Sequence, residues 1–445
     1  MFLKKGRKGW LMERKFTKKL VDWKNQAKKK CLVVQGARQI GKTYTIREFG
    51  AENYNEVIEI NFKETPSAKE IFTGDISVDT MLTALRFRYP EKKILPKTTL
   101  VFLDEIQECE EAITSLKFFA QDGRFDVIAS GSLLGIDYKR ASSYPVGYVT
   151  FEKMHGFDFE EFLWAIGVSK EMNFSLRDFF NRRTVVPAAI NSQMMNYFRT
   201  FIALGGMPEV IKKYVETKDF READKVQRDL LNGYLYDIAH YADASEKIKA
   251  EKCFLSLGKQ LLEKENRKFQ YKEVEKNGKA QKYFNSVEWL KRADIACISM
   301  NVTKPAYELC DYEKEGNFRV YTSDLSLLLS MRDFSLKQQI VENSFTGNSK
   351  GGIYECAVAD SFIKNDYALH FYKNESTKRE IDFILQKDGN IVPVEVKAGA
   401  SKSQSLSSFM KNHPEVPIAY KLTDGNIGMD ENRILTVPLW ISMFL

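Results

Sequence analysis

The sequence predicts an α/β protein of two to four domains whose front part is built on a parallel sheet. The chain has 445 residues, and roughly 100–200 residues make a domain. Short apolar runs alternate with helical patterns through residues 31–165: CLVVQG (31–36), NEVIEINF (55–62), TTLVFLDE (98–105), FDVIAS (125–130) and GYVTFEKM (147–154). Alternation of this kind builds strand–helix–strand units. The first, third and fourth runs are almost continuously apolar, as strands covered on both faces must be.

Composition narrows the class. Hydrophobic residues are 44% and charged residues 29% of the chain, which is ordinary globular usage and excludes disorder, collagen and disulfide scaffolds. No run of apolar residues is long enough to span a membrane. The first residues, MFLKKGRKGWLMERK, are basic but lack the apolar stretch of a secretory signal. Six scattered cysteines include no C-x-x-C pair, so no zinc ribbon is expected and a reducing cytoplasm is. Residues 1–48 hold 15 Lys and Arg against 3 Asp and Glu, although the whole chain carries only +7. A basic arm of that kind suits nucleic-acid phosphates, an acidic face of a neighbouring subunit, or plain solvation.

Along the chain, residues 13–30 read as an amphipathic helix with Phe16, Leu20 and Trp23 on one stripe. After about residue 155 the pattern turns helical. Gly205-Gly206-Met207-Pro208 breaks two helices, and a long helical run covers 218–243. Residues 250–330 mix short helices with a few strands. From 351 onward the order is helix, strand, strand and further α/β.

The sharpest motif is Gly36-Ala-Arg-Gln-Ile-Gly41-Lys42-Thr43, which follows a predicted strand and opens a predicted helix. Its glycines let backbone N–H groups curl around phosphates, and the helix start adds positive dipole. Lys42 can reach the β- and γ-phosphates of ATP, and the Thr43 hydroxyl can ligate Mg²⁺. Asp104 and Glu105 end the apolar run 100–103, at the sheet edge that carries the phosphate loop. Asp104 is expected in the Mg²⁺ shell and Glu105 as the group that polarises the attacking water. Ser130 and Ser132 follow the fourth strand, placed to position water or sense the γ-phosphate. Arg86, Arg88, Arg124 and Arg140 are candidate arginine fingers that spacing does not separate from surface charge.

A second constellation lies near the C-terminus. Asp388-Gly389 between two alternating strands is a hairpin signal. With those two residues as the loop, Asp382 falls opposite Glu395, and Lys397 lies on the same face. The other face, Ile381, Phe383, Leu385, Val392, Val394 and Val396, is core, and Pro393 pairs with Ile384 where no N–H is needed. Two carboxylates facing each other repel, and Mg²⁺ or Mn²⁺ would relieve that. Glu355 shares a helical stripe with Val358, Ala359 and Phe362, so it faces inward and needs a partner. Such a set can activate water while Lys397 stabilises a phosphorane; it can equally be a charged face in which Lys397 neutralises Glu395.

These residues resemble the bacterial and archaeal AAA+-type P-loop ATPases that carry a C-terminal PD-(D/E)xK nuclease-like domain. The resemblance runs through Met12-Glu-Arg14-Lys15, GARQIGKT (36–43), FLDEIQ (102–107), VIASGSLLG (127–135) and SYPVGYVTFEKMHGFDFEEFLWA (143–165). It continues in LGGMPE (204–209), YTSDLSLL (321–328), YE (354–355), EIDF (380–383) and VEVKAG (394–399). It implies a basic arm and helix (1–30), an AAA+ core (31–165), a helical lid (166–245), a winged-helix-like segment (246–335) and a restriction-endonuclease-like α/β domain (336–445). By the same resemblance Gly36, Gly41, Lys42 and Thr43 bind nucleotide, Asp104 and Glu105 serve Mg²⁺ and water, Ser130 or Ser132 is the sensor, and Glu355, Asp382, Glu395 and Lys397 match the nuclease acids and lysine. The implied activity is an ATPase whose cycle controls a domain that cuts or binds DNA. The alternatives are a slow nucleotide switch or a DNA-binding regulator that recruits a partner without cutting. A homo-oligomer is expected, with another protein as a further candidate partner. Tyr148 stands where the family usually has a basic residue, and Ser326 where it usually has glycine. In 269–295, Gln281, Lys282, Tyr283, Asn285 and Lys291 are residue types that touch phosphates and bases.

Overall fold

The computed structural model describes residues 5–6, 9–10, 12–74, 76–131, 145–263, 267–374, 379–399 and 403–445. It divides into two compact units, one of residues 13–155 with 292–294 and one of residues 1–12, 156–291 and 295–445.

In the unit of residues 13–155, each of the five apolar runs forms a strand: β1 (Cys31–Gln35), β2 (Glu56–Asn61), β3 (Thr99–Asp104), β4 (Asp126–Gly131) and β5 (Val149–Lys153). They pair in the order β2-β3-β4-β1-β5, and every pairing is parallel. The most apolar strands, β3 and β4, are buried along their whole length, as central strands covered on both faces should be. Helix α1 (Phe16–Lys24) buries the expected stripe of Phe16, Leu20 and Trp23. Helices α2 (Lys42–Asn53), α3 (Val78–Arg88) and α4 (Glu110–Asp122) follow their strands as crossovers require. Because all five strands run one way, their carboxyl ends share one edge. That edge gathers Gln35, Asn61, Asp104 and Gly131, residues far apart in sequence.

In the other unit, α5 (Phe159–Ala165), α6 (Ala188–Leu204), α7 (Pro208–Thr217), α8 (Phe220–Tyr241), α9 (Lys247–Leu262) and α10 (Ala280–Arg292) precede a mixed sheet. Helix α5 starts in a capping box between Asp158 and Glu161. Its Phe159 and Phe162 pack against Phe198 and Phe201 of α6. The sheet strands are β6 (Ala296–Val302), β7 (Glu313–Thr322), β8 (His370–Lys373), β9 (Glu380–Lys387), β10 (Asn390–Val396), β11 (Ala419–Thr423), β12 (Gly428–Met429) and β13 (Ile434–Pro438). Their order is β12-β13-β11-β10-β9-β8-β6-β7. A boundary at 335/336 therefore does not separate two sheets. Strands β6 and β7, from the segment expected to be winged-helix-like, join the C-terminal sheet through the parallel pair β6–β8. Helix α11 (Phe334–Glu342) leads to α12 (Gly347–Lys364), which is buried from Gly352 to its end, with Glu355, Val358, Ala359 and Phe362 among the buried residues.

The β9–β10 hairpin has the register expected of an Asp-Gly loop. Lys387 pairs with Asn390, Ile384 with Pro393 and Phe383 with Val394. Asp388 and Gly389 both take positive φ, 48° and 76°, the requirement of a tight hairpin turn.

LGGMPE and YTSDLSLL meet in a buried knot. Gly206 N–H donates to Asp324 Oδ1 at 2.9 Å, and Lys364 Nζ lies 2.8 Å from both Asp324 Oδ2 and Asp360 Oδ2. Gly205 has φ 71°, and a Cβ there would lie 2.1 Å from Ser326 N, so only glycine fits. Ser326 Oγ donates to Leu204 O at 2.6 Å and accepts from Met207 N at 3.4 Å. The hydroxyl thus ties down the helix break, a use that a glycine at 326 could not supply.

Burial, opposed by Lys364, pushes the Asp360 carboxyl up to about 7. A carboxyl raised in the folded state stabilises the fold fully below its ordinary pKa near 4, and that contribution is lost as pH climbs through about 7. Thermal melts of wild type and Asp360→Asn from pH 5 to pH 8 should therefore diverge, the wild type losing ground to the variant as pH rises. Parallel curves would show Asp360 to be ionised throughout.

Candidate functional site

At the sheet edge of the first unit the chain between β1 and α2 forms a tight loop. Gly36 has φ 149°, Gln39 60° and Gly41 89°. A Cβ on Gly36 would come 2.2 Å from Met154 O, so close backbone approach requires that glycine. Lys42, only 8% exposed, folds back over the loop, donating to Gly36 O at 2.9 Å and Ala37 O at 2.7 Å. Burial pushes its ammonium down to about 8, against the pull of Glu105 and Asp104.

Asp104, at the end of β3, is 2% exposed and ringed by donors. Thr43 Oγ1 and Asn61 Nδ2 each donate to its Oδ2 at 3.0 Å, and Ser130 Oγ donates to its Oδ1. Burial raises its pKa, while the hydrogen bonds from Ser130 and Thr43 hold it down. Glu105 follows at φ 53°, a conformation few non-glycine residues adopt, and its Oε2 accepts from Gln107 Nε2. The structure thus brings Gly36, Gly41, Lys42, Thr43, Asp104, Glu105 and Ser130 to one edge. Ser132 and Arg140 lie outside the described residues. Arg124 is paired with Asp122 and Asp79, and Arg88 donates to Ser67. Tyr148 accepts from Gln121 at 3.2 Å, with Lys117 Nζ 5.7 Å from its ring centroid.

Three residues at this edge have roles that the motifs do not state. Asn61 ends β2 and is the register partner of Asp104, a neighbour that only strand order discloses. Gln107 holds Glu105. Arg14, 7% exposed, donates to Ile40 O at 2.8 Å and to His155 O at 2.5 Å, tying α1 to the crest of the phosphate loop.

The carboxylate hairpin differs from expectation at its third acid. Glu355 is not shared with a cation site. Its Oε1 lies 2.7 Å from Arg319 Nη1 and accepts from Tyr321 OH at 2.7 Å, while its Oε2 lies 2.9 Å from Arg267 Nη1. Arg319 also pairs with Glu380. Asp382 Oδ2 accepts from Val396 N at 2.9 Å, and Lys397 Nζ lies 2.7 Å from Glu395 Oε1. Burial, followed by the charge of Glu355, pushes Asp382 up to about 6. Glu395 Oε2 is buried without a hydrogen-bond partner. Among the described residues no group of three His, Cys, Asp or Glu is placed to hold a metal ion. Glu355 is therefore not placed with Asp382 and Glu395 as a third open acid, because two arginines already hold it.

Of the residues expected at DNA in 269–295, Tyr283 is fully buried in α10, with its hydroxyl on Glu275, and Lys282 is paired with that same carboxylate at 2.6 Å. Tyr283 shares a buried i, i+4 stripe with Val287, whereas Gln281, Lys282, Asn285 and Lys291 are exposed.

Residues 28–163 match a family model described as an AAA domain, and residues 195–338 and 350–441 match two domains of unknown function. No curated protein matches the chain. Similar solved structures include the Walker-type ATPase PABY2304 of Pyrococcus abyssi, 15% identical over 73% of this chain and 96% of that one, TM-score 0.43. AMPPCP-bound DnaA from Aquifex aeolicus is 12% identical over 62% and 86%, TM-score 0.28. A RuvB of Thermotoga maritima is 14% identical over 68% and 90%, TM-score 0.30. The first unit is an AAA-type P-loop ATPase core, α/β with a parallel sheet. Among the described residues no helix is long and apolar enough to cross a membrane.

Removing donors from Asp104 has a direct readout. Ser130→Ala should raise the Asp104 carboxyl pKa further, and carboxyl-carbon NMR titration should show a higher midpoint than wild type. An unmoved midpoint would mean that the Ser130 hydroxyl does not bond the ionised carboxylate.

Proposed function

We propose that the chain binds and hydrolyses Mg-ATP at the edge of the β2-β3-β4-β1-β5 sheet, and that its C-terminal domain binds nucleic acid without cutting it. The observation that carries the ATP reading is the placement of Lys42 and Thr43 beside a buried Asp104 whose carboxylate is oriented by three donors. The residues fit the cation that travels with ATP: Thr43 Oγ1 and Asp104 lie in hydrogen-bond contact and supply the hydroxyl and carboxylate oxygens that Mg²⁺ takes. When bound, Mg²⁺ neutralises phosphate charge.

The protein's own groups do the rest. The loop N–H groups and the start of α2 receive the phosphates, and Lys42 exchanges its two carbonyl partners for phosphate oxygens. Ser130 and Asn61 keep Asp104 in one orientation. Glu105, released from Gln107, orients water for attack on the γ-phosphate. Rate comes from positioning and charge stabilisation.

For the C-terminal domain, the alternative without cleavage is favoured by Glu355, which two guanidiniums and a phenol already satisfy. Nucleic acid as the ligand is supported by the cation excess of the first 48 residues. Control of the C-terminal domain by the nucleotide cycle, assembly into a homo-oligomer and action in the cytoplasm belong to the same proposal.

Lys42→Ala should abolish nucleotide binding. Glu105→Gln should retain binding while turnover falls roughly 10²–10⁴-fold. Unchanged ATPase rates in both would overturn the site. Since a bound triphosphate favours the charged Lys42, and the free group titrates at about 8, affinity should fall as pH rises above 8, with proton uptake on binding in calorimetry. Single- and double-stranded DNA incubated with the protein, ATP and Mg²⁺ or Mn²⁺ should stay intact. Cutting that disappears in both Asp382→Ala and Lys397→Ala would restore the nuclease reading.

A further inference from the structure

Helix α13 (Gln404–Asn412) follows the hairpin and has two unlike faces. Leu406, Phe409 and Met410 bury against the sheet. Gln404, Ser407, Ser408 and Lys411, spaced i, i+3, i+4 and i+7, line a cleft of about 590 Å³ instead. Arg379 and Lys421 complete its cationic wall, and of all its lining residues only Ile434 is apolar. A cleft so polar does not suit a greasy ligand.

Ser403 closes the cleft at the start of the helix. It is 7% exposed, yet its hydroxyl has no hydrogen-bond partner among the described residues. It stands at the N-cap position without capping the helix. A buried hydroxyl with nothing to bond is costly, and the first N–H groups of any helix have no acceptor within it. One anion at this point satisfies both, helped by the helix dipole.

Charge favours an anion here. Arg379, Lys411 and Lys421 face Asp430 and Glu431 in the same cleft. Asp430 accepts the N–H groups of Asn432 and Ile434, each at 2.9 Å, and so is turned to its own loop. The cations of the wall thus stand beside the helix start, where an anion's charge is met from two sides. Neither Glu355, Asp382 nor Lys397 lines the cleft, so it is separate from the carboxylate hairpin.

We infer that this cleft holds a phosphate group, which in a bound nucleic acid is one backbone phosphodiester. Ser403 Oγ and the first N–H groups of α13 contact its oxygens, and Lys411, Lys421 and Arg379 neutralise its charge. The nucleic-acid source rests on the function proposed above; the phosphate chemistry does not.

The test uses the full chain. Fluorescence anisotropy with a labelled single strand and a labelled duplex should show binding that weakens in Lys411→Gln and in Ser403→Ala. The slope of log affinity against log salt should fall by about one in Lys411→Gln. Unchanged affinity and slope in both variants, with wild-type melting temperatures, would overturn the site while leaving nucleic-acid binding intact. If wild type binds neither strand nor duplex, the nucleic-acid reading falls, and inorganic phosphate becomes the probe. In a Lys42→Ala background, phosphorus NMR should then show line broadening that Ser403→Ala together with Lys411→Gln removes. No broadening, or broadening indifferent to those two substitutions, overturns the phosphate site as well.

Discussion

The buried carboxylate of Asp104 is the constraint on which the first unit depends. A carboxylate at 2% exposure is tolerable only where donors surround it. Those donors come from three chain segments: Thr43 at the start of α2, Asn61 at the end of β2 and Ser130 near the end of β4. Parallel pairing brings all of them to one edge, and the order β2-β3-β4-β1-β5 places the strand of Asp104 between those of Asn61 and Ser130. The sheet topology and the chemistry of the edge are thus one arrangement. A different strand order would bury the same charge without partners.

How much of this was legible depended on whether a signal was local. The phosphate loop is local: strand, glycines, lysine, threonine and helix follow one another within a few residues, and the backbone angles at Gly36 and Gly41 answer to them. The β9–β10 hairpin is local too, because an Asp-Gly loop sets its own register. Asn61 and Arg14 were not legible, since each acts through a neighbour distant in sequence. The union of β6 and β7 with the C-terminal sheet was hidden for the same reason. The parallel pairing of β6 with β8 joins segments about seventy residues apart, and no periodicity in either strand announces its partner. Tyr283 misled in the opposite direction. An aromatic beside lysines looks like a binding surface, but burial on a helical stripe accounts for it.

The second unit holds an unusual number of charges in its interior, and they fall into groups that close on themselves. Lys364 answers both Asp324 and Asp360, Lys337 answers Asp224, and Arg319 answers Glu355 and Glu380. Removing one member of such a group leaves an uncompensated buried charge, at a cost of roughly 3–5 kcal/mol. Such groups also bring distant segments together, because the ends of long side chains must meet. The knot of Asp324, Ser326 and Lys364 holds the break at Gly205-Gly206 and the start of the segment after residue 155, where Phe157 N–H donates to Gly206 O at 2.6 Å. Sequence stretches that look like separate motifs are the parts of one contact.

The same logic decides between chemistries at Glu355. A hydrolytic metal site needs carboxylate oxygens left open to a cation and to water. Here the positive charge facing the carboxylate is covalently part of the chain, supplied by Arg267 and Arg319, and Tyr321 takes a further lone pair. Drawing Glu355 onto a metal would take a carboxylate from two guanidiniums and leave the buried Arg319 with Glu380. The ion pairs of Glu355 close on themselves within the chain. On the proposal above, the polar cleft along α13 is where this sheet meets a partner's phosphate.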